Sequence, residues 1–203
     1  MSFLDSTSLI LASASTARAQ ILRNAGLALR IDPAVIDEAE VKAAFRAEGA
    51  TAAACATALA EAKAERVSRR HPGALVIGAD QLLVAGNAWF DKPASRDEAR
   101  EQLAALRGRT HELVSAICVA RDGAILWHET DTPRLHMREF SNAFLERYLD
   151  AAGDAVFACV GAYRLEDIGA HLFSKIDGDF FSILGLPLLP LLEFLRGHGV
   201  VPR

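Results

Sequence analysis

Asp80 is the side chain whose type fits its surroundings least. It interrupts an apolar run, Ala74-Leu75-Val76-Ile77-Gly78-Ala79 and then Leu82-Leu83-Val84, that reads as a strand buried on both faces. An unpaired carboxylate buried there would cost several kcal/mol, so it needs a metal, a cation or an opening to solvent. A carboxylate at a strand end facing a crevice is a frequent general base or metal ligand. The plainer alternative is that Asp80 begins a turn or lies at a sheet edge.

Two cations raise the same question. Lys63 falls at the helical offset that joins Leu59 and Ala60 to Val67, so it shares a stripe with apolar residues. Its ammonium either points inward or into a cleft, or snorkels to solvent along its stem. Arg18 falls in the first turn of a helix, where the positive end of the dipole disfavours a cation by about 0.3–1 kcal/mol and a nearby anion reverses the sign. Together with the hydroxyls and backbone N–H groups of Ser13-Ala14-Ser15-Thr16 it makes a possible phosphate cradle, or simply a capped helix start with a solvated arginine. Asp91-Lys92-Pro93 adds a cation just before a rigid turn, and the acidic stretch Ile36-Asp37-Glu38-Ala39-Glu40 reads as a solvated loop or a helix start.

Other chemistries lack their signatures. The 6 histidines include no His-x-x-x-His pair, and neither G-x-x-x-x-G-K-[ST] nor G-x-S-x-G is present, which removes the marks of zinc, P-loop and α/β-hydrolase sites. Cys55, Cys118 and Cys159 are widely spaced, as reduced packing residues would be, and form no disulfide framework or Cys-x-x-Cys knuckle.

The elements that must position these residues alternate between strand and helix. Leu9-Ile10-Leu11-Ala12 reads as a short buried strand, followed by a helix to about Asn24 with Gly26 as its stop, and by a strand over Ala28 to Ile31. Thr51 to Arg69 is Ala-rich and free of breakers, which predicts a long helix ended by His71-Pro72-Gly73. Gly86-Asn87 predicts a hairpin, and Ser95-Arg96-Asp97-Glu98 is a capping box opening a helix with Leu103 and Leu106 inside. Strands follow at Leu113 to Ala120 and Ala124 to Thr130, joined by Asp122-Gly123. Ser141 is placed to cap an amphipathic helix, Cys159 to Tyr163 and His171 to Ile176 read as short strands, and Leu186 to Leu195 is apolar at helical spacing. The reading is α/β or α+β around a mixed sheet, with no repeat or linker dividing residues 1–203, hence a single domain.

Composition agrees. With 203 residues, 51% hydrophobic and 24% charged, the chain can bury a sizeable core and is neither disordered nor collagen-like. A net charge of −4 argues against a protein whose main work is holding a nucleic-acid polymer, while leaving room for a small anionic substrate in a locally cationic cleft. No stretch has the length of a membrane span and the start lacks a basic signal n-region, so no membrane role and a cytoplasmic location are expected.

In order along the chain, LILASAS with Arg18, VIDE at Asp37-Glu38, LAEAKA holding Lys63, VIGADQ, DKP, LAALRGRTHELVSA, GAY and FSKIDGDFFSILGLPL resemble the Maf family of nucleoside triphosphate pyrophosphatases. The resemblance implies an α/β, Maf/ITPase-like fold, a mixed twisted sheet with flanking helices forming two lobes around a cleft. It implies metal-assisted hydrolysis of a nucleoside triphosphate between the α and β phosphates, with Mg²⁺ or else Mn²⁺, and a homodimer. By matching position, Asp80 is expected to activate water and, with Glu38, to hold the metal. Ser13, Arg18, Lys63 and Lys92 are expected to embrace the triphosphate, Lys63 and Lys92 taking part in the chemistry, and Gln81 and Glu166 to bind substrate. The family's historical association with inhibition of septum formation implies an alternative, a nucleotide-sensing regulator of cell division with little or no catalysis.

The chain departs from the family pattern in three places. Ser-Pro-Arg-Arg is replaced by Ser15-Thr16-Ala17-Arg18, Asp-Thr by Asp80-Gln81, and Lys-Ala-Gly-Ala-Tyr-x-x-Gln by Cys159-Val160-Gly161-Ala162-Tyr163-Arg164-Leu165-Glu166. These changes resemble the subgroup that prefers 7-methyl-GTP. An ionised Glu166 can only accept hydrogen bonds, which suits the N–H donors of guanine, and a cationic methylated base suits aromatic faces such as Trp89, Phe90 or Tyr163.

Overall fold

The computed structural model describes residues 9–202. These described residues form an α/β protein built on one eight-stranded mixed sheet with seven α-helices. The strands are β1 (Leu9–Leu11), β2 (Arg30–Ile31), β3 (Leu75–Ala85), β4 (Ala88–Phe90), β5 (Thr110–Arg121), β6 (Ala124–Asp131), β7 (Arg134–Met137) and β8 (Phe173–Asp177). The helices are α1 (Thr16–Asn24), α2 (Glu38–Ala47), α3 (Ala52–Ser68), α4 (Arg96–Leu106), α5 (Asn142–Ala152), α6 (Phe180–Ile183) and α7 (Leu188–Gly197). The sheet order is β2-β1-β3-β5-β7-β8, with β4 on β3 and β6 on β5.

The chain forms two compact units, one running to Gln81 and taking in Ser115–Asp131 and the segment from Gly185 on, the other made of Leu82–Val114 and Thr132–Leu184. In the first, β1 pairs in parallel with both β2 and β3. Parallel neighbours require crossover connections, and α1, α2 and α3 supply them. α3 is capped by Thr51, whose side chain accepts from Ala54 N at 3.1 Å, and it buries Cys55, Leu59, Ala60, Ala64 and Val67 at helical spacing. α2, which begins inside the acidic stretch, is capped by Asp37 accepting from Glu40 N at 3.0 Å. The β5–β6 hairpin turns at Asp122 (φ 53°) and Gly123 (φ 80°), the left-handed pair that a two-residue connection needs.

The second unit has its own core, with Leu103 and Leu106 of α4, Leu145, Tyr148 and Leu149 of α5, and Leu135 of β7. Ser95 caps α4 by accepting from Glu98 N at 3.2 Å, while Glu98 reaches one residue further than the capping-box pattern and accepts from Ala94 N at 2.8 Å. Two expectations are corrected. Cys159 to Tyr163 is not a strand, because Gly161 (φ 76°) and Ala162 (φ 61°) turn the chain through a short 3-10 segment. The strand expected over His171 to Ile176 starts later, at Phe173, with His171 in a 3-10 turn. Pro190 is tolerated because α7 starts at Leu188, leaving the proline in its first turn. No helix among the described residues is long and apolar enough to cross a membrane.

Candidate active site

The polar cluster of the first unit is made possible by a glycine. Gly78 and Asp80 alternate along β3 and so face the same side of the sheet. A Cβ on Gly78 would collide with the Ala60 carbonyl and the backbone and side chain of Ala64, so α3 lies on β3 at a distance that only Gly and Ala permit. That close approach brings Lys63, one helical position from Ala64, onto Asp80.

Of the two courses open to Lys63, the structure takes the inward one. The residue is 6% exposed, and its ammonium lies 2.6 Å from Asp80 Oδ1 and 2.6 Å from Glu38 Oε1. Asp80 is 4% exposed inside β3, neither a turn residue nor on a sheet edge. Its second oxygen, Oδ2, is buried with no hydrogen-bond partner among the described residues. Such an atom carries a desolvation penalty of about 1–3 kcal/mol that a cation or a water would relieve. Glu38, the first residue of α2, is half-exposed. Burial on its own would raise its pKa, but the charge and hydrogen bond of Lys63, helped by Lys42 and Arg18, outweigh that and hold it below the usual carboxylate range.

Arg18 closes the cluster. Ser15 caps α1 by accepting from Arg18 N at 3.3 Å, and the arginine side chain turns back along the helix start. Its Nε donates to Gly185 O at 2.8 Å, and Nη1 donates to Ala79 O at 2.9 Å and to Ser13 Oγ at 3.1 Å. Burial lowers its pKa, against the opposing pull of Asp80 and Glu38. Ser13, 8% exposed, also accepts from Ser15 N at 3.2 Å. The Ser13 to Thr16 junction is thus less open as an anion cradle than its sequence suggests, because the protein itself already engages part of its donor and acceptor capacity. Gln81 likewise has an internal role, donating from Nε2 to Ser115 Oγ at 2.8 Å.

Ser13, Arg18, Glu38, Lys63, Asp80 and Gln81 all belong to the first unit, and Lys92 and Glu166 to the second. Lys92 is exposed in the irregular segment between β4 and α4, where the preceding carbonyl, Asp91 O, accepts from Gln102 Nε2 of α4 at 3.0 Å. The Glu166 carboxylate pairs with Arg164 at 3.0 Å. Tyr163, expected as an aromatic face for a base, is instead a core residue, 5% exposed, with its hydroxyl 2.6 Å from His111 Nε2 and its ring edge-on to Phe173. Gly185, Ala79 and Ser115 were not singled out by the sequence. Their contributions are two backbone carbonyls and one buried hydroxyl, which carry no local signal.

The donor set suits a hard divalent cation. Two carboxylates, one with an unpartnered buried oxygen, match the one or two acidic ligands that Mg²⁺ takes when substrate phosphates and water complete its shell. No group of three or more His, Cys, Asp or Glu residues able to hold a metal occurs among the described residues.

A family model and the curated relatives of this chain agree. Residues 8–198 match the family model described as Maf-like protein. A nucleoside triphosphate pyrophosphatase of Paramagnetospirillum magneticum is 57% identical over 190 residues, 94% of this chain and 98% of the relative. The proteins of the same description from Granulibacter bethesdensis and Rhodospirillum rubrum are 56% and 51% identical, over 94% and 95% of this chain and 96% and 95% of their own lengths.

Proposed function

This chain belongs to the Maf family, and from that premise we propose that it is a hydrolase that splits a nucleoside triphosphate into the monophosphate and pyrophosphate with the help of a divalent cation, Mg²⁺ or Mn²⁺. The observation that carries the reading is the convergence of Lys63 on Asp80 and Glu38 at 2.6 Å, beside the Arg18 guanidinium. The names of relatives at 51–57% identity support the reaction class.

In this reading a water oxygen attacks the α phosphorus, Asp80 takes its proton, and the bond from the α phosphorus to the α–β bridging oxygen breaks. Pyrophosphate leaves with the electron pair. Glu38 and Asp80 hold the cation, which when bound lowers the pKa of water and offsets phosphate charge. Lys63 keeps the two carboxylates at a fixed separation and offsets one of their two negative charges while no substrate is present. Arg18 and Ser13 face the phosphates, where preformed donors stabilise developing negative charge more than they do in water. Lys92, Gln81 and Glu166 carry their substrate-binding assignments from the family resemblance. Glu166 is an acceptor-only group, which supports a preference for a guanine base and above all for 7-methyl-GTP, whose added positive charge a carboxylate favours.

The test is a panel of 7-methyl-GTP, GTP, UTP, dTTP and CTP with Mg²⁺, run in ¹⁸O water. Pyrophosphate release with the label in the monophosphate is expected, with 7-methyl-GTP turned over fastest and the preference relaxed in Glu166→Gln. Asp80→Asn is expected to lower kcat by about 10²–10⁴, the range typical of a lost general base. Orthophosphate release, or an Asp80→Asn variant as active as the parent, overturns the reading. Tight calorimetric binding of a nonhydrolysable analogue with no turnover of any nucleotide replaces it with the nucleotide-sensing alternative.

A further inference from the structure

Gly185 opens the segment that leads into α7, at φ +90°, and Leu186 beside it is fully buried. Its carbonyl accepts the Arg18 Nε–H at 2.8 Å. A Cβ at Gly185 would lie 3.3 Å from Arg18 Nε and 3.4 Å from Nη2, so any side chain there presses on the guanidinium, while Gln81 Oε1 at 3.5 Å would be in ordinary contact. The same guanidinium donates to Ala79 O, the carbonyl of the peptide bond that leads into Asp80, and to Ser13 Oγ.

We infer that Gly185 is a positioning residue of the active site: by its carbonyl and by lacking a side chain, it sets the plane of the Arg18 guanidinium, which in turn fixes the backbone that presents Asp80. Three of the five guanidinium N–H groups are committed to three chain segments, leaving the pair on Nη2 as the donors with a fixed direction. Only a planar fork can satisfy this arrangement. A lysine keeps the charge but cannot bridge three acceptors in one plane. The arrangement also accounts for a cation kept at a helix N-terminus and stripped of water, two conditions that disfavour it. A solvated arginine has no need of either.

The kinetic part of the test rests on the pyrophosphatase reading, and the spectroscopic part does not. Gly185→Ala, Gly185→Asn (which better tolerates positive φ if the alanine variant does not fold), Arg18→Lys and Gly185→Ala/Arg18→Lys are compared with the parent. Each single variant is expected to lower kcat by about 10–100-fold with little change in KM, the scale of a misplacement near 1 Å. The double variant is expected to be no worse than the worse single, because both act through one contact. In ¹⁵N spectra the Arg18 Nε–H, identified by its loss in Arg18→Lys, is expected to be protected from exchange in the parent and exposed in both Gly185 variants. Gly185 variants with a protected Nε–H, an Arg18→Lys variant with parental kcat, or effects that multiply in the double variant would overturn the inference. A parent that hydrolyses no nucleotide overturns the functional reading alone, and the exchange measurement still decides the role of Gly185.

Discussion

In the first unit Lys63 and Asp80, 6% and 4% exposed, meet at 2.6 Å, with Glu38 on the same ammonium. In the second unit the densest charge cluster lies at the surface, where Arg100 and Arg96 hold Glu146 between α4 and α5 at 2.5 and 3.0 Å and Arg96 also reaches Asp150 at 2.7 Å. The second unit does bury polar groups, but they are neutral: His111 on the Tyr163 hydroxyl at 2.6 Å, and Tyr148 donating to Ala162 O at 3.1 Å. The contrast separates two uses of polarity. Removing an ion from water costs several kcal/mol, so a buried ion pair is a poor way to gain stability and a sensible way to hold reactive charges ready. A surface clamp can pin two helices at little cost, and a neutral buried pair can specify packing without a net charge.

The sharpest way to break this contrast is Lys63→Met, which keeps the length of the stem and removes the ammonium. The buried Asp80 carboxylate then loses the Lys63 hydrogen bond, the one it makes among the described residues, and faces Glu38 with no lysine between them. Breaking a buried pair by removing one partner typically costs about 3–5 kcal/mol. Losing the ammonium that fixes Asp80 also misplaces the group that takes the water proton, and a misplacement near 1 Å lowers kcat by about 10². Urea unfolding and steady-state kinetics measure the two effects, and both are expected to be large. A variant close to the parent in both would make the cluster no more than a tolerated defect.

Lys63 and Asp80 were legible in the sequence because each breaks a pattern. A lysine on the stripe of Leu59 and Val67, and a carboxylate in a run of buried aliphatics, both contradict the periodicity around them. Glu38 breaks no pattern. A glutamate in an acidic helix start is ordinary, and its partner becomes evident only when α3 brings Lys63 to it. Gly185 was less visible still, since its function lies in a carbonyl that accepts from a side chain 167 residues earlier in the chain. Cys159 to Tyr163 reads as a strand because Val160 and Tyr163 favour extended backbone, whereas the left-handed φ at Gly161 and Ala162 ends any strand there. The short β7, with Arg134 and His136 alternating with Leu135 and Met137, offered too few residues for its period to stand out.

His111 sharpens the comparison from the other side. Burial, with a smaller contribution from the charge of His136, pushes its pKa down to about 4, so the folded protein keeps it neutral. The unfolded chain takes up that proton near pH 6.5. Between these values the unfolded state binds more protons, so stability rises with pH, is complete above about 6.5 and is lost as pH falls toward 4. Integrated over that window the loss is about 3 kcal/mol. Chemical unfolding at a series of pH values should show His111→Gln lacking this part of the acid sensitivity, with the remaining histidines contributing equally to both proteins. Equal slopes for the two would mean that His111 already carries a proton in the folded state, and the second unit would then hold a buried charge as the first does.

Glu146→Gln is expected to have the smallest effect, and its value lies in its salt dependence. Hydrogen bonds from Arg100 and then Arg96 push the Glu146 carboxyl down to about 2, so what it contributes is present above the ordinary glutamate pKa and is lost as pH falls through that lower value. The pair is exposed and therefore screened, and its effect on unfolding should shrink as ionic strength rises to about 1 M, where the Debye length is about 3 Å. Turnover should not change, since none of these residues takes part in the chemistry. The destabilisation in Lys63→Met should persist at the same salt concentration, because few counterions reach a pair with side chains 7% and 5% exposed. Equal salt sensitivity in the two variants would mean that water and ions enter the Lys63 site freely, and a buried, preorganised charge cluster would no longer explain why these residues are there.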